Sequence, residues 1–183
     1  VRDHVIAMMQ DIKMGDVRDF RNFMSAVIDK KAFDKISEYV AIAKKSAKVL
    51  QGGGCDDRKG YFIEPTLVQT TKPDYKLLCE EIFGPVLSVV RAETYEEGLG
   101  LANDHEYGNG VAIYTRDGDA ARDFAARVQV GMVGINVPIP VPLAYHTFGG
   151  WKRSGFGDLN QHGPDSIRFY TKTKTITSRW PSG

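Results

Sequence analysis

Apolar residues recur at helical spacing from the first position, with Val1, Val5, Met8 and Ile12 predicting an amphipathic opening helix. Gly15 and Asp16 punctuate a loop. A second helix is predicted from Phe33, Ile36, Val40, Ala43, Ala47 and Leu50, which share one face while the lysines line the other. Gly52, Gly53 and Gly54 stop that helix and open a polar turn through Asp56, Asp57, Arg58 and Lys59. Tyr61 to Val68 then reads as a strand in which Pro65 marks an edge or a bulge, and Leu87 to Arg91 is a short β-rich run. Thr94 and Glu97 form a candidate capping box for a helix through Leu101 and Ala102. Gly110 to Thr115 follows as a strand, Asp117 or Asp119 caps a helix with Ala121, Phe124, Ala125 and Val128 on one face, and Val130 to Val137 returns as a strand.

Repeated β-α-β alternation with Val-rich strands predicts an α/β fold, a mostly parallel sheet with flanking helices. Residues 138–157 break the pattern with three prolines, four glycines and the aromatics Tyr145, Phe148, Trp151 and Phe156, and read as a shaped loop. At the end, Thr171, Thr173, Thr175 and Thr177 alternate with Lys172, Lys174, Ile176 and Ser178. That period-2 tail has no evident neighbour in the chain and predicts a strand, residues 171–180, that pairs with a sheet edge of another subunit.

Composition narrows the classes. The 183 residues are 42% hydrophobic and 26% charged, and 24 Lys+Arg against 23 Asp+Glu leave a net charge of +1. Such a balance supplies no basic field for nucleic acid or an anionic membrane surface. No apolar run approaches the roughly 20 residues of a membrane-spanning helix. Cys55 and Cys79 show neither zinc spacing nor a disulfide-dense pattern, which fits a reducing compartment. With no targeting signal in view, the expected location is cytoplasmic, the mitochondrial matrix staying open for a longer parent.

The familiar catalytic signatures are missing. Gly155-Phe156-Gly157-Asp158-Leu159-Asn160 lacks the third glycine of a dinucleotide turn, and there is no P-loop, HExxH or GxSxG elbow. Asp56 and Asp57 beside Cys55, and Glu80 and Glu81 after Cys79, disfavour a thiolate at either position. His4, His105, His146 and His162 have no metal spacing. Glu80 and Glu81 stand directly before Phe83, Gly84, Pro85 and Val86, at the lip of a predicted strand. A carboxylate there can accept two hydrogen bonds from sugar hydroxyls, while a solvated pair is the ordinary alternative.

The run Glu80-Glu81-Ile82-Phe83-Gly84-Pro85-Val86 resembles a signature of the aldehyde dehydrogenase superfamily. Gly60-Tyr61-Phe62 and Glu64-Pro65-Thr66 precede it as in that family, and Asn103, Tyr107-Gly108, Thr115 and Asp117 match the next block. Asn136 and then Phe148-Gly149-Gly150-Trp151-Lys152 with Ser154-Gly155 complete the set, so the resemblance covers nearly the whole chain. Residues 1–85 are more similar to Δ1-pyrroline-5-carboxylate dehydrogenase, with Ser25-Ala26-Val27-Ile28-Asp29 and Gly52-Gly53-Gly54-Cys55-Asp56-Asp57. Residues 86–183 look like methylmalonate-semialdehyde dehydrogenase, with His105-Glu106-Tyr107-Gly108-Asn109-Gly110 and Gly134-Ile135-Asn136-Val137-Pro138. A fusion at the shared motif and an unfamiliar subfamily both account for this.

The resemblance implies a C-terminal portion of an NAD- or NADP-dependent enzyme, with residues 1–169 a partial catalytic domain and 170–183 an oligomerisation strand and tail. Glu81 would hold the nicotinamide ribose hydroxyls, Phe83 would pack against the nicotinamide side, Phe148 would line the aldehyde tunnel, and Asn136 would support the catalytic centre. Lys35 falls near a position that can face the cofactor. The substrate would be glutamate semialdehyde (pyrroline-5-carboxylate) or methylmalonate semialdehyde, oxidised to an acid or, with CoA as co-substrate, an acyl-CoA. In the family the nucleophilic Cys and the general-base Glu lie upstream of the stretch matching Val1, so the chain alone is expected to be inactive, its partners the semialdehyde and copies of itself. A non-catalytic assembly module that keeps the fold is the competing reading.

Overall fold

A computed structural model describes all 183 residues, which divide into two compact units, Val1–Ala92 and Glu93–Gly183. The first opens with α1 (Arg2–Gln10), which buries no side chain. It is followed by α2 (Lys30–Ser46). The Asp29 carboxylate accepts a hydrogen bond from the Ala32 N–H at 2.7 Å and so caps α2, whose Phe33, Ile36, Tyr39, Val40 and Ala43 are buried. Leu50 does not extend this helix. The backbone turns extended at Ala47, and β1 (Lys48–Gln51) exchanges the local helical pattern for sheet pairing, a tertiary choice that periodicity does not contain.

The expected strand from Tyr61 to Val68 is broken at Pro65, which has no N–H to donate. Before the break, β2 (Cys55–Asp56) and β3 (Phe62–Ile63) make a small antiparallel pair; after it, β4 (Thr66–Thr70) becomes the middle strand of a three-stranded sheet. A short α3 (Lys76–Cys79) then leads to β5 (Val86–Val90), parallel to β4 in the register Thr66↔Val86 to Thr70↔Val90, whereas β1 runs antiparallel to β4. Ile36, Val40, Ile63, Val68 and Ile82 belong to the core between this sheet and α2.

In the second unit, the Thr94 hydroxyl accepts the Glu97 N–H at 3.1 Å and opens α4 (Tyr95–Asp104), as the capping pattern predicts. Then come β6 (Tyr107–Gly108), β7 (Gly110–Ile113), α5 (Gly118–Arg127), capped by Asp117, and β8 (Met132–Ile135). Strands β7 and β8 are parallel across α5, and Leu99, Phe124, Val128 and Val130 form the core beneath them. Inside the Gly/Pro-rich loop, β9 (Trp151–Lys152) pairs antiparallel with β6, and the chain closes on a short α6 (Asp165–Tyr170).

The α/β class holds, but the expected mostly parallel sheet does not: the strands form mixed and separate sheets. Parallel pairing occurs where a helix lies in the crossover, at β4–β5 and β7–β8; β1–β4, β2–β3 and β6–β9 are antiparallel. Parallel neighbours need that long return, whereas an antiparallel neighbour needs only the chain to double back. Residues 171–183 have no strand pairing within the chain and are exposed throughout.

Candidate functional site

The segment Glu80 to Gly84 follows α3, leaving the helix through an extended Glu80 at φ −102° and ψ 140°. Glu80, Ile82 and Gly84 make contacts with the rest of the unit. The Glu80 carboxylate accepts the Tyr39 hydroxyl at 2.5 Å and the Lys76 ammonium at 2.6 and 2.7 Å, and Ile82 joins the core. Gly84 lies so close to Ile36 that an added Cβ would stand 2.5 Å from Ile36 Cδ1. The Lys76 ammonium and the Tyr39 hydroxyl hold the Glu80 carboxyl below its ordinary value, and the same bond pushes the Tyr39 phenol up.

Glu81 and Phe83 between them are exposed. The Glu81 backbone carbonyl accepts the Lys35 ammonium at 2.7 Å, yet its carboxylate is exposed and makes no hydrogen bond or ion pair in the chain. Phe83 is 85% exposed and holds φ at 59°, a left-handed backbone unusual for a bulky residue. An unpaired carboxylate and an aromatic ring two residues apart thus stand exposed on one short strap. That arrangement fits a ribose diol beside a flat heteroaromatic ring: hydroxyls donate to the carboxylate, and the ring stacks.

In the second unit Asn136 directly follows β8, also with a left-handed φ of 58°. Its amide clasps Thr115 from both sides, the oxygen accepting the Thr115 N–H and the nitrogen donating to the Thr115 carbonyl, each at 3.0 Å. The polar groups are satisfied, as for a structural amide, but the residue is exposed rather than buried. Phe148 is half-buried, edge-on to His162 with ring centroids 4.4 Å apart, and lines a cavity of about 310 Å³ with Asn109, Ser154 and Asn160. Gly149 lies against Asn160, and a Cβ there would stand 1.9 Å from Asn160 Oδ1 and oblige that amide to move. Cys55 is exposed in β2, Cys79 ends α3, and neither is hydrogen-bonded to a His or a carboxylate.

The sequence motif points to Glu81 and Phe83, which the structure leaves exposed, but not to the residues behind them. Tyr39 was not singled out, although it lies one helical turn beyond Lys35 on α2, and that spacing was the available signal. Lys76 and Ile36 become visible as supports only once the strap is folded against them.

The sequence matches the aldehyde dehydrogenase family over residues 1–176, and the chain belongs to that family. It is 46% identical over 182 residues to the malonate-semialdehyde dehydrogenase of Pseudomonas aeruginosa, an alignment that covers 97% of this chain and 37% of that protein. Among solved structures, a Sinorhizobium meliloti protein assigned as a methylmalonate-semialdehyde dehydrogenase and complexed with NAD superposes with a TM-score of 0.89 at 54% identity, covering 100% of this chain and 38% of that one. Betaine aldehyde dehydrogenase from Staphylococcus aureus, in complex with NAD+, gives a TM-score of 0.84 at 31% identity, covering 100% and 38%. The chain therefore spans 37 to 38% of the length of these relatives.

Proposed function

We propose that this chain is the cofactor-ribose and tunnel-lining portion of an NAD-dependent aldehyde dehydrogenase acting on a small acidic semialdehyde of the malonate or methylmalonate type. The observation that carries the reading is the strap: Glu81 and Phe83 are its two outward side chains, one an unpaired carboxylate and the other an exposed ring. In this role the Glu81 carboxylate accepts hydrogen bonds from the ribose hydroxyls, and Phe83 limits where the nicotinamide ring can lie. A bound nicotinamide supplies the hydride acceptor. Phe148 presents an apolar wall to the aldehyde, and Asn136 holds the end of β8 against Thr115. The choice of NAD rests on neighbours solved with it. CoA or water would then accept the acyl group.

The alignment to the Sinorhizobium protein covers the whole chain, residues 1–85 included, at 54% identity overall. That supports one malonate- or methylmalonate-type segment over a join with a pyrroline-5-carboxylate enzyme. Neither thiol has a base beside it, which supports a nucleophile outside these 183 residues and no aldehyde oxidation by the chain alone. Residues 1–169 would form a partial catalytic domain, and 171–180 a strand that pairs between subunits. The test is Glu81→Gln in the full-length protein, followed by NAD titration. Hydrogen bonds to a charged group are worth about 1.5–3 kcal/mol. Affinity should fall on that scale with no loss of thermal stability; unchanged affinity would remove Glu81 from the site.

A further inference from the structure

The strap that carries Glu81 is gripped at successive positions, largely by one face of α2. Tyr39 takes the Glu80 carboxylate, Lys35 takes the Glu81 carbonyl, and Ile36 closes under Gly84. Lys76 completes the hold on Glu80 from α3, and both lysines lie over the Tyr39 ring, at 5.9 and 5.4 Å from its centroid. Spacing explains the concentration: residues 35, 36 and 39 are neighbours on a helical surface. The grip has something to oppose, because Phe83 sits in an unfavourable left-handed conformation and an unrestrained strap would relax by rotating there. Rotation at Phe83 or slippage by one residue would break these contacts and move the Glu81 carboxylate from its place.

We propose that Tyr39, Lys35 and Lys76 are positioning residues for the dinucleotide, holding the strap in the one register that turns the Glu81 carboxylate toward the ribose hydroxyls. This rests on the reading of Glu81 given above. None of the three needs to touch the cofactor; each acts by fixing the main chain or the neighbouring Glu80, so that Glu81 is aimed before the ribose arrives. The buried Tyr39 holds the least exposed bond of the set, and the more exposed Lys35 offers a variant that spares the core.

The test is a double-mutant cycle in the full-length protein, read by equilibrium titration with NAD. Tyr39→Phe and Lys35→Met should each weaken NAD binding about fivefold, the scale of one lost hydrogen bond. The Michaelis constant for NAD should rise, while that for the aldehyde stays unchanged. In a Glu81→Gln background the same two substitutions should have almost no further effect on NAD affinity, because they act through that carboxylate. A fivefold loss that persists in the Glu81→Gln background would overturn the proposal, since it would show a general structural effect or direct contact. Full NAD affinity in both Tyr39→Phe and Lys35→Met, with Glu81→Gln still impaired, would overturn this proposal alone. Full affinity in Glu81→Gln itself would remove the underlying cofactor reading as well.

Discussion

Phe83, Asn136 and Lys152 are the three residues other than glycine with a positive φ, at 59°, 58° and 53°, and all three fall in motif stretches. Asn tolerates this conformation, but Phe and Lys need surrounding contacts to impose it. Replacing Phe83 with Gly should therefore leave the unfolding midpoint unchanged or higher while weakening NAD binding in the full-length protein, a separation read by thermal melting beside titration. Asn136→Ala should behave in the opposite way and cost about 1–2 kcal/mol in urea unfolding, because two backbone groups of Thr115 lose their partner. Glu80 adds a pH dependence. Its carboxyl titrates below the ordinary Glu value near 4.3, so its stabilising contribution is in place above that pH and disappears as pH falls through the lowered folded value. Glu80→Gln should flatten, without abolishing, the acid loss of stability below about pH 4.3, since Asp16, Asp56, Glu96 and Asp123 are also held low by arginine or tyrosine partners. Residue identity made Glu81 legible in the sequence; the pairing of Tyr39 with Glu80, 41 positions apart, was not.

At the scale of elements, local signals survived wherever a single stretch of chain decided the outcome. The Thr94 and Asp117 caps and the apolar face of α2 form as the pattern predicts, because a cap and its helix lie within a few residues of one another. Lys152 shows the other case. Its ammonium donates to the carbonyls of Asn103 at 2.6 Å, His105 at 3.0 Å and Ala102 at 3.4 Å, closing the C-terminal end of α4 from a strand almost fifty residues away. A cation at that end satisfies carbonyls that the helix leaves open and complements its dipole. Lys152→Met keeps the stem and should destabilise the protein by about 1.5–3 kcal/mol in urea unfolding. Gly84→Ala should likewise be destabilising, by about 1–3 kcal/mol for an overpacked contact, and the penalty should shrink in an Ile36→Ala background that frees the space.

For the whole molecule, the open question is what residues 171–183 meet. They are exposed and make no strand pairing within the chain, so their deletion should leave the unfolding midpoint of this chain by itself unchanged. If 171–180 is the intersubunit strand, the same deletion should lower the molar mass of the full-length protein in light scattering; equal masses would remove the strand as the assembly element. Leu87 and Val89 on β5 are also exposed at 55% and 39%, although a β-rich run of this kind reads as a buried strand. The sequence pattern identified that strand but not which of its faces this chain would cover.

By itself the sequence determined the family motifs, the α/β class, the helix caps and the apolar face of α2, each of which is written in neighbouring residues or in a short ordered run. Tertiary structure decided the rest. Strand direction depends on which distant segment supplies the hydrogen bonds, so the sheets are mixed where alternation suggested parallel pairing, and Leu50 leaves the helical pattern for β1. The same holds for the site. Glu81 is a carboxylate in any conformation, but it becomes an outward-facing one only because α2 and α3 hold Glu80, the Glu81 carbonyl, Ile82 and Gly84 on the inner side of the strap, and contacts between residues so far apart in the chain leave no period to read.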